Sequence, residues 1–119
     1  MPEPRRGEVW RVDLEPARGD EIRKTRPAVV VSTDTVGKLR LRIIVPVTDW
    51  KDRYATFPWM VPLDPDPASG LIKPSAADAL QIRSVSLERM VLRLGVLPEE
   101  TLDAITTALL LCVRHRPAP

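Results

Sequence analysis

One histidine, one cysteine, five glycines and five aromatic residues are all that a chain of 119 residues provides of these types. The single histidine, His115, falls near the chain end, which excludes a paired-histidine ribonuclease and any Ser-His triad of sensible geometry. The lone Cys112 excludes an internal disulfide and a cysteine metal cage, and it suits a reducing cytoplasm. No glycine-rich phosphate loop, dinucleotide fingerprint or zinc spacing occurs. No run approaches the roughly 18 apolar residues that a membrane span needs, and the first nine residues carry charges rather than a secretion signal. These observations predict a soluble cytoplasmic protein with no membrane, metal or small-molecule cofactor. The net charge of only +2 means that any nucleic-acid site must be local.

Prolines are abundant instead. Thirteen of them disfavour long helices and favour strands broken by fixed turns. The length gives one domain, residues 1–119, with residues 1–6 and 116–119 expected as loose termini. Residues 8–14 alternate, with Trp10, Val12 and Leu14 on one side, and read as a half-buried strand. A polar loop of about ten residues follows, from Glu15 to Lys24, longer than usual for a hairpin. The stretch Lys24-Thr-Arg-Pro-Ala-Val-Val-Val-Ser32 then reads as a strand buried on both faces. Pro27 fixes how Arg26 leaves it.

A turn or short helix is expected at residues 33–38, a strand at 39–47 ending beside Thr48, and a charged aromatic loop at 49–56. Residues 57–63, with two prolines, read as an edge strand. Asp64 and Asp66 sit in a proline turn and read as turn initiators rather than metal ligands. Further strands are expected at 76–82, placing Asp78, Leu80 and Ile82 on one face, and at 91–97, with one helical turn between them. Pro98-Glu99-Glu100 opens a C-terminal helix whose Leu102, Ile105, Leu109 and Cys112 share a face, with Arg114 and His115 in its last turn. Leu110, Leu111 and Val113 widen the apolar arc toward a second subunit or the core.

The parts left for chemistry are a guanidinium at a strand mouth (Arg26), a hydroxyl at another (Thr48) and a loop acid (Glu21). Arg26 reads either as a phosphate-binding fork or as an arginine capping a barrel rim. Such parts suffice for one metal-free reaction, because RNA carries its own nucleophile in the 2′-hydroxyl. Lys24, Lys51 and Arg53 are candidate phosphate contacts or solvated surface. Trp50 is a candidate base-stacking residue or a rim aromatic. Gln81 either reads a base edge or satisfies a neighbouring backbone group.

The order Gly7-Glu-Val-Trp10, Val12-Asp-Leu-Glu-Pro16, Gly19, Glu21, Thr25-Arg-Pro-Ala-Val-Val-Val-Ser32, Pro46-Val-Thr48 and Gln81-Ile-Arg83 resembles the MazF/PemK family of toxin endoribonucleases. The resemblance runs from residue 7 to about 112. It implies an α+β protein, mainly β: an SH3-like β-barrel with short helices and a C-terminal helix. It also implies a homodimer that cleaves single-stranded RNA sequence-specifically without metal, inhibited by a cognate antitoxin laid over the RNA groove. By position, Arg26 and Thr48 match the family's catalytic arginine and threonine, and Glu21 an acid of the mobile loop. Near Gln81 the pattern departs: Leu80 and Asp78 stand where members often carry an acid and an arginine, so Asp78 enters as a candidate RNA-site residue. The rival class is a non-enzymatic poison on the same barrel, like the gyrase poisons, which rely on a C-terminal tryptophan; here all three tryptophans precede residue 60.

Overall fold

The structure, a computed structural model, describes residues 3–114. Its strands are β1 (Glu8–Asp13), β2 (Thr25–Val30), β3 (Leu41–Asp49), β4 (Met60–Leu63), β5 (Ser75–Asp78), β6 (Arg83–Ser86) and β7 (Met90–Val96), followed by the helix α1 (Glu99–Val113). Every pairing is antiparallel, and the strands run β4-β5-β3-β2-β1-β7 with β6 added beside β3. The sheet curls like a barrel without closing. The expected α+β class holds, the edge strand expected at residues 57–63 is confined to β4 over Met60–Leu63, with Pro58 ahead of it, and the turn at residues 33–38 contains a short 3₁₀ helix.

The three valines are buried on both faces because β2 separates two cores. Val29 and Val31 join Val9, Val45, Val47 and the inner face of α1. Ala28 and Val30 join Trp10, Val12, Leu14 and Ile44. Strand alternation thus divides one apolar run between two cores. On α1, Leu102 and Ile105 are buried and Leu109 and Cys112 pack at the margin, as the spacing predicts. Leu110, Leu111 and Val113 stay exposed.

One element is corrected. The strand expected over residues 76–82 ends at Asp78, and Ala79–Gln81 form a 3₁₀ turn before β6. Both β5 and β6 line the same edge of β3. Ala76 faces Thr48 and Arg83 faces Ile44, so the eight residues Ala76–Arg83 on this edge lie along the five residues Ile44–Thr48 of β3. The three extra residues bulge outward, leaving Leu80 57% exposed. Asp78 starts the bulge, its carboxylate accepting the N–H of Leu80 at 3.1 Å. The helical turn expected at 84–90 is shorter, a 3₁₀ turn over Leu87–Arg89, between the end of β6 and the start of β7.

Residues 3–6 are not loose. Arg42, only 5% exposed, donates from Nε to the Pro4 carbonyl at 3.0 Å and from Nη1 to the Leu39 and Leu41 carbonyls. Arg6 donates to the Val31 carbonyl at 2.6 Å. His115 and the tail 116–119 lie outside the described residues.

Candidate active site at the strand ends

Two clefts open where β2 and β3 end. The smaller, of ≈ 280 Å³, is bordered by Thr25, Arg26 and Pro27 of β2, by Val47, Thr48 and Asp49 of β3, and by Arg11, Gly70, Ile72, Lys73, Ser75 and Leu94. Three consecutive residues from each strand border it, so it lies across the strand ends. The larger, of ≈ 560 Å³, is lined by Asp20, Glu21 and Ile22 of the long loop, by Pro46, and by Leu80, Gln81, Ile82 and Arg83 around the bulge.

Arg26 and Thr48 both border the smaller cleft. Ala28 pairs with Pro46 and Val29 with Val45, the paired register stops there, and Arg26 and Thr48 each lie two residues beyond its last pair. Alternation gives both the sheet face of Pro46, which floors the larger cleft. Both are half-buried. Of the five N–H donors of Arg26, only Nε–H is spent within the described residues, on the Arg23 carbonyl at 3.2 Å. Thr48 Oγ1 has no hydrogen-bond partner there. A guanidinium and a hydroxyl on adjacent strands are therefore free to converge on one anion.

The loop beside them is ordered by its own polar groups. Glu15 accepts the N–H of Lys24 at 2.8 Å and of Ala17 at 3.3 Å, and Lys24 closes the loop in a left-handed conformation at φ 71°. Those backbone donors, Lys24 first, with Arg23 nearby, hold the Glu15 carboxyl below the usual carboxylate range. Gln81 reaches across from the bulge. Its Oε1 accepts the Ile22 N–H at 2.6 Å and its Nε2 donates to the Asp20 carbonyl at 3.2 Å. Glu21, between those two residues, is exposed in the larger cleft, with Oε1 accepting the Arg18 N–H at 2.6 Å.

The remaining candidates lie elsewhere. Asp78 is 4% exposed, lines neither cleft and caps the bulge; burial pushes its carboxyl up despite hydrogen bonds from Leu80 and Gln81. The structure thus places this candidate RNA-site residue inside the bulge, beside Leu80 and Gln81. Gln81 serves the backbone of the loop, the second of its two readings. Lys24, Lys51 and Arg53 are exposed but border neither cleft, and Arg53 lies 5.5 Å over the Tyr54 ring. Trp50 heads an aromatic row. It meets Tyr54 edge-on at 5.9 Å, Tyr54 leans on Phe57, and Phe57 stacks on Trp59 at 5.1 Å. Missed altogether were Arg11, Asp49 and Lys73, which the smaller cleft brings together. The clue to Arg11 is its pairing with Pro27, a register that the sequence does not display.

The model of the PemK-like, MazF-like toxin of type II toxin-antitoxin systems matches residues 5–113. The chain belongs to this family. Endoribonuclease MazF9 of Mycobacterium tuberculosis is 39% identical over 111 residues, covering 88% of this chain and 92% of that protein. Among solved structures, MazF of Deinococcus radiodurans superposes with a TM-score of 0.78 at 25% identity, over 92% of this chain and 96% of that one. A mycobacterial endoribonuclease in complex with its cognate antitoxin shares the fold, with a TM-score of 0.72 at 22% identity over 92% of this chain and 94% of that one. The strand-end geometry of this MazF-like chain therefore sits on a fold shared along nearly its whole length.

Proposed function

We propose that this MazF-like chain is an endoribonuclease toxin that cuts single-stranded RNA at chosen sequences, without metal, in the cytoplasm. The observation that carries the reading is that Arg26 and Thr48 border one cleft at adjoining strand ends, with four guanidinium N–H groups and a hydroxyl unspent among the described residues. In this reading the 2′-hydroxyl attacks the adjacent phosphorus in line. The bond to the 5′-oxygen breaks, leaving a 2′,3′-cyclic phosphate and a 5′-hydroxyl. Arg26 and Thr48 hold the non-bridging oxygens, whose charge grows at the pentacovalent stage. Arg26 acts as an electrostatic stabiliser, since a guanidinium hardly deprotonates. Glu21, the exposed carboxylate of the larger cleft, receives the proton of the 2′-hydroxyl, and water returns one to the leaving oxygen.

A homodimer accounts for the exposed Leu110, Leu111 and Val113 on α1. A mycobacterial endoribonuclease of this fold is in complex with its cognate antitoxin; here too a cognate antitoxin would bind, laying an extended segment over the RNA site. Among the described residues no helix is long and apolar enough to cross a membrane.

The test pairs a mixed-sequence RNA in excess chelator with a copy carrying 2′-deoxy sugars at the cut positions. Scission of the first and survival of the second are expected, with cyclic phosphate at the new ends. Scission of both, or dependence on divalent metal, contradicts the reading.

A further inference from the structure

The larger cleft joins apolar walls to three charged groups. Pro46 floors it, Ile22 of the loop and Leu80 and Ile82 of the bulge line it, and Asp20, Glu21 and Arg83 complete it. The bulge keeps Leu80 57% exposed there. At ≈ 560 Å³ the slot is of the size that takes a small ring system. Proteins that read single-stranded RNA hold unstacked bases between apolar side chains and recognise them by hydrogen bonds to the Watson–Crick edge.

The slot adjoins the proposed chemistry. Along β3, Thr48, Pro46 and Ile44 share one sheet face by alternation, and Arg83 stands beside Ile44 on that same face. Pro46 therefore lies between the Thr48 hydroxyl and Arg83. Glu21, which takes the 2′-hydroxyl proton in the ribonuclease reading, lines the same cleft. The nucleotide bearing that hydroxyl is on the 5′ side of the cut, so its base is the one that reaches the slot.

Gln81 is already occupied, Oε1 by the Ile22 N–H and Nε2 by the Asp20 carbonyl, with a further hydrogen bond to Asp78. Arg83 is not. Among the described residues its guanidinium makes one hydrogen bond, from Nη1 to the Leu14 carbonyl at 3.3 Å, which leaves four of its five N–H groups unspent. The exposed Asp20 carboxylate has no hydrogen-bond or ion-pair partner among those residues. A guanidinium only donates and an ionised carboxylate only accepts. Guanine and uracil suit such a pair, because each carries a carbonyl oxygen beside a ring N–H. Adenine and cytosine present an amino group and a bare ring nitrogen instead, setting donor against donor and acceptor against acceptor. Resting on the ribonuclease reading, we propose that the larger cleft holds the base immediately 5′ of the cut, and that Arg83, with Asp20, selects a keto base, guanine or uracil, at that position.

The test digests a random-sequence RNA pool and sequences the new ends. The wild type is expected to favour guanine and uracil over adenine and cytosine 5′ of the cut by roughly 5- to 150-fold, the range of one bidentate contact. Arg83→Met, which keeps an apolar stem and removes the donors, is expected to admit adenine and cytosine there while the base frequencies 3′ of the cut stay as in the wild type. A merely structural defect lowers all cleavage alike and leaves that ratio unmoved. Thermal melts confirm that each variant is folded. Should Arg83→Met not fold, Arg83→Lys, which retains a donor for the Leu14 carbonyl, is expected to lose most of the preference. If the wild type cuts the pool without a keto preference at that position, or a folded, active Arg83 variant keeps it, the base pocket is overturned and the ribonuclease reading stands. If the folded Arg83 variants cut nothing, Arg83 serves the chemistry rather than the choice of base, and the proposal is again overturned. A wild type that leaves the whole pool intact overturns the ribonuclease reading and the pocket with it.

Discussion

Glu15 accepts two backbone N–H groups at the mouth of the long loop, and its carboxyl titrates below its ordinary range because of them. The consequence for pH has a definite sign. A carboxyl lowered in the folded protein adds order that is complete above the ordinary glutamate range and is lost as pH falls through the lowered value. Amide exchange at Lys24 and Ala17 should therefore accelerate on acidification ahead of the β2 core amides. Glu15→Gln should remove that pH dependence. Single-residue chemistry was the part most legible in the sequence. Arg26 and Thr48 could be picked out because each stands at the end of a buried apolar stretch, the one before the valines of β2 and the other after Ile44-Val-Pro-Val47 of β3. Arg11 and Asp49 could not, because a charged residue on an alternating strand looks like solvated surface until the register sets it beside Pro27 or Ser75, and Lys73, on the turn entering β5, looks the same.

The elements that local periodicity encodes were equally plain: β1, the valine strand β2 and α1 each show one period. The edge formed by β5 and β6 was not, because Asp78, Leu80 and Ile82 continue a two-residue alternation straight through the bulge. Its break comes from an aspartate folding back onto Leu80 and from three residues unmatched on β3. The bulge has a purpose in the site: it aims Gln81 at both Asp20 and Ile22. Each such hydrogen bond contributes about 0.5–1.5 kcal/mol net. Gln81→Ala should leave the barrel folded, raise protease cutting within residues 15–24 and slow RNA turnover. Unchanged proteolysis would mean that the loop is ordered without Gln81. The turn over β7 makes a steeper demand. A Cβ on Gly95 would lie 2.2 Å from the Ala68 carbonyl oxygen, so Gly95→Ala must push the turn away. The expected cost is about 1–3 kcal/mol, read as a lowered urea midpoint.

At the scale of the whole molecule, the two cores on either side of β2 and β3 give these strands little freedom, and the strand ends inherit that rigidity. Preorganisation is what a reaction with its own internal nucleophile asks of a protein: a fixed place where charge develops, with donors already aimed at it. The family to which the chain belongs and the placement of Arg26 and Thr48 on one cleft point to the same chemistry. The most direct test is the single-turnover cleavage rate of Arg26→Ala on a saturating RNA, beside a thermal melt of the same preparation. The account predicts an unchanged melt and a rate lower by roughly 100- to 1000-fold, about 2.7–4 kcal/mol of lost stabilisation. A folded Arg26→Ala protein that cuts RNA at the wild-type rate would contradict it.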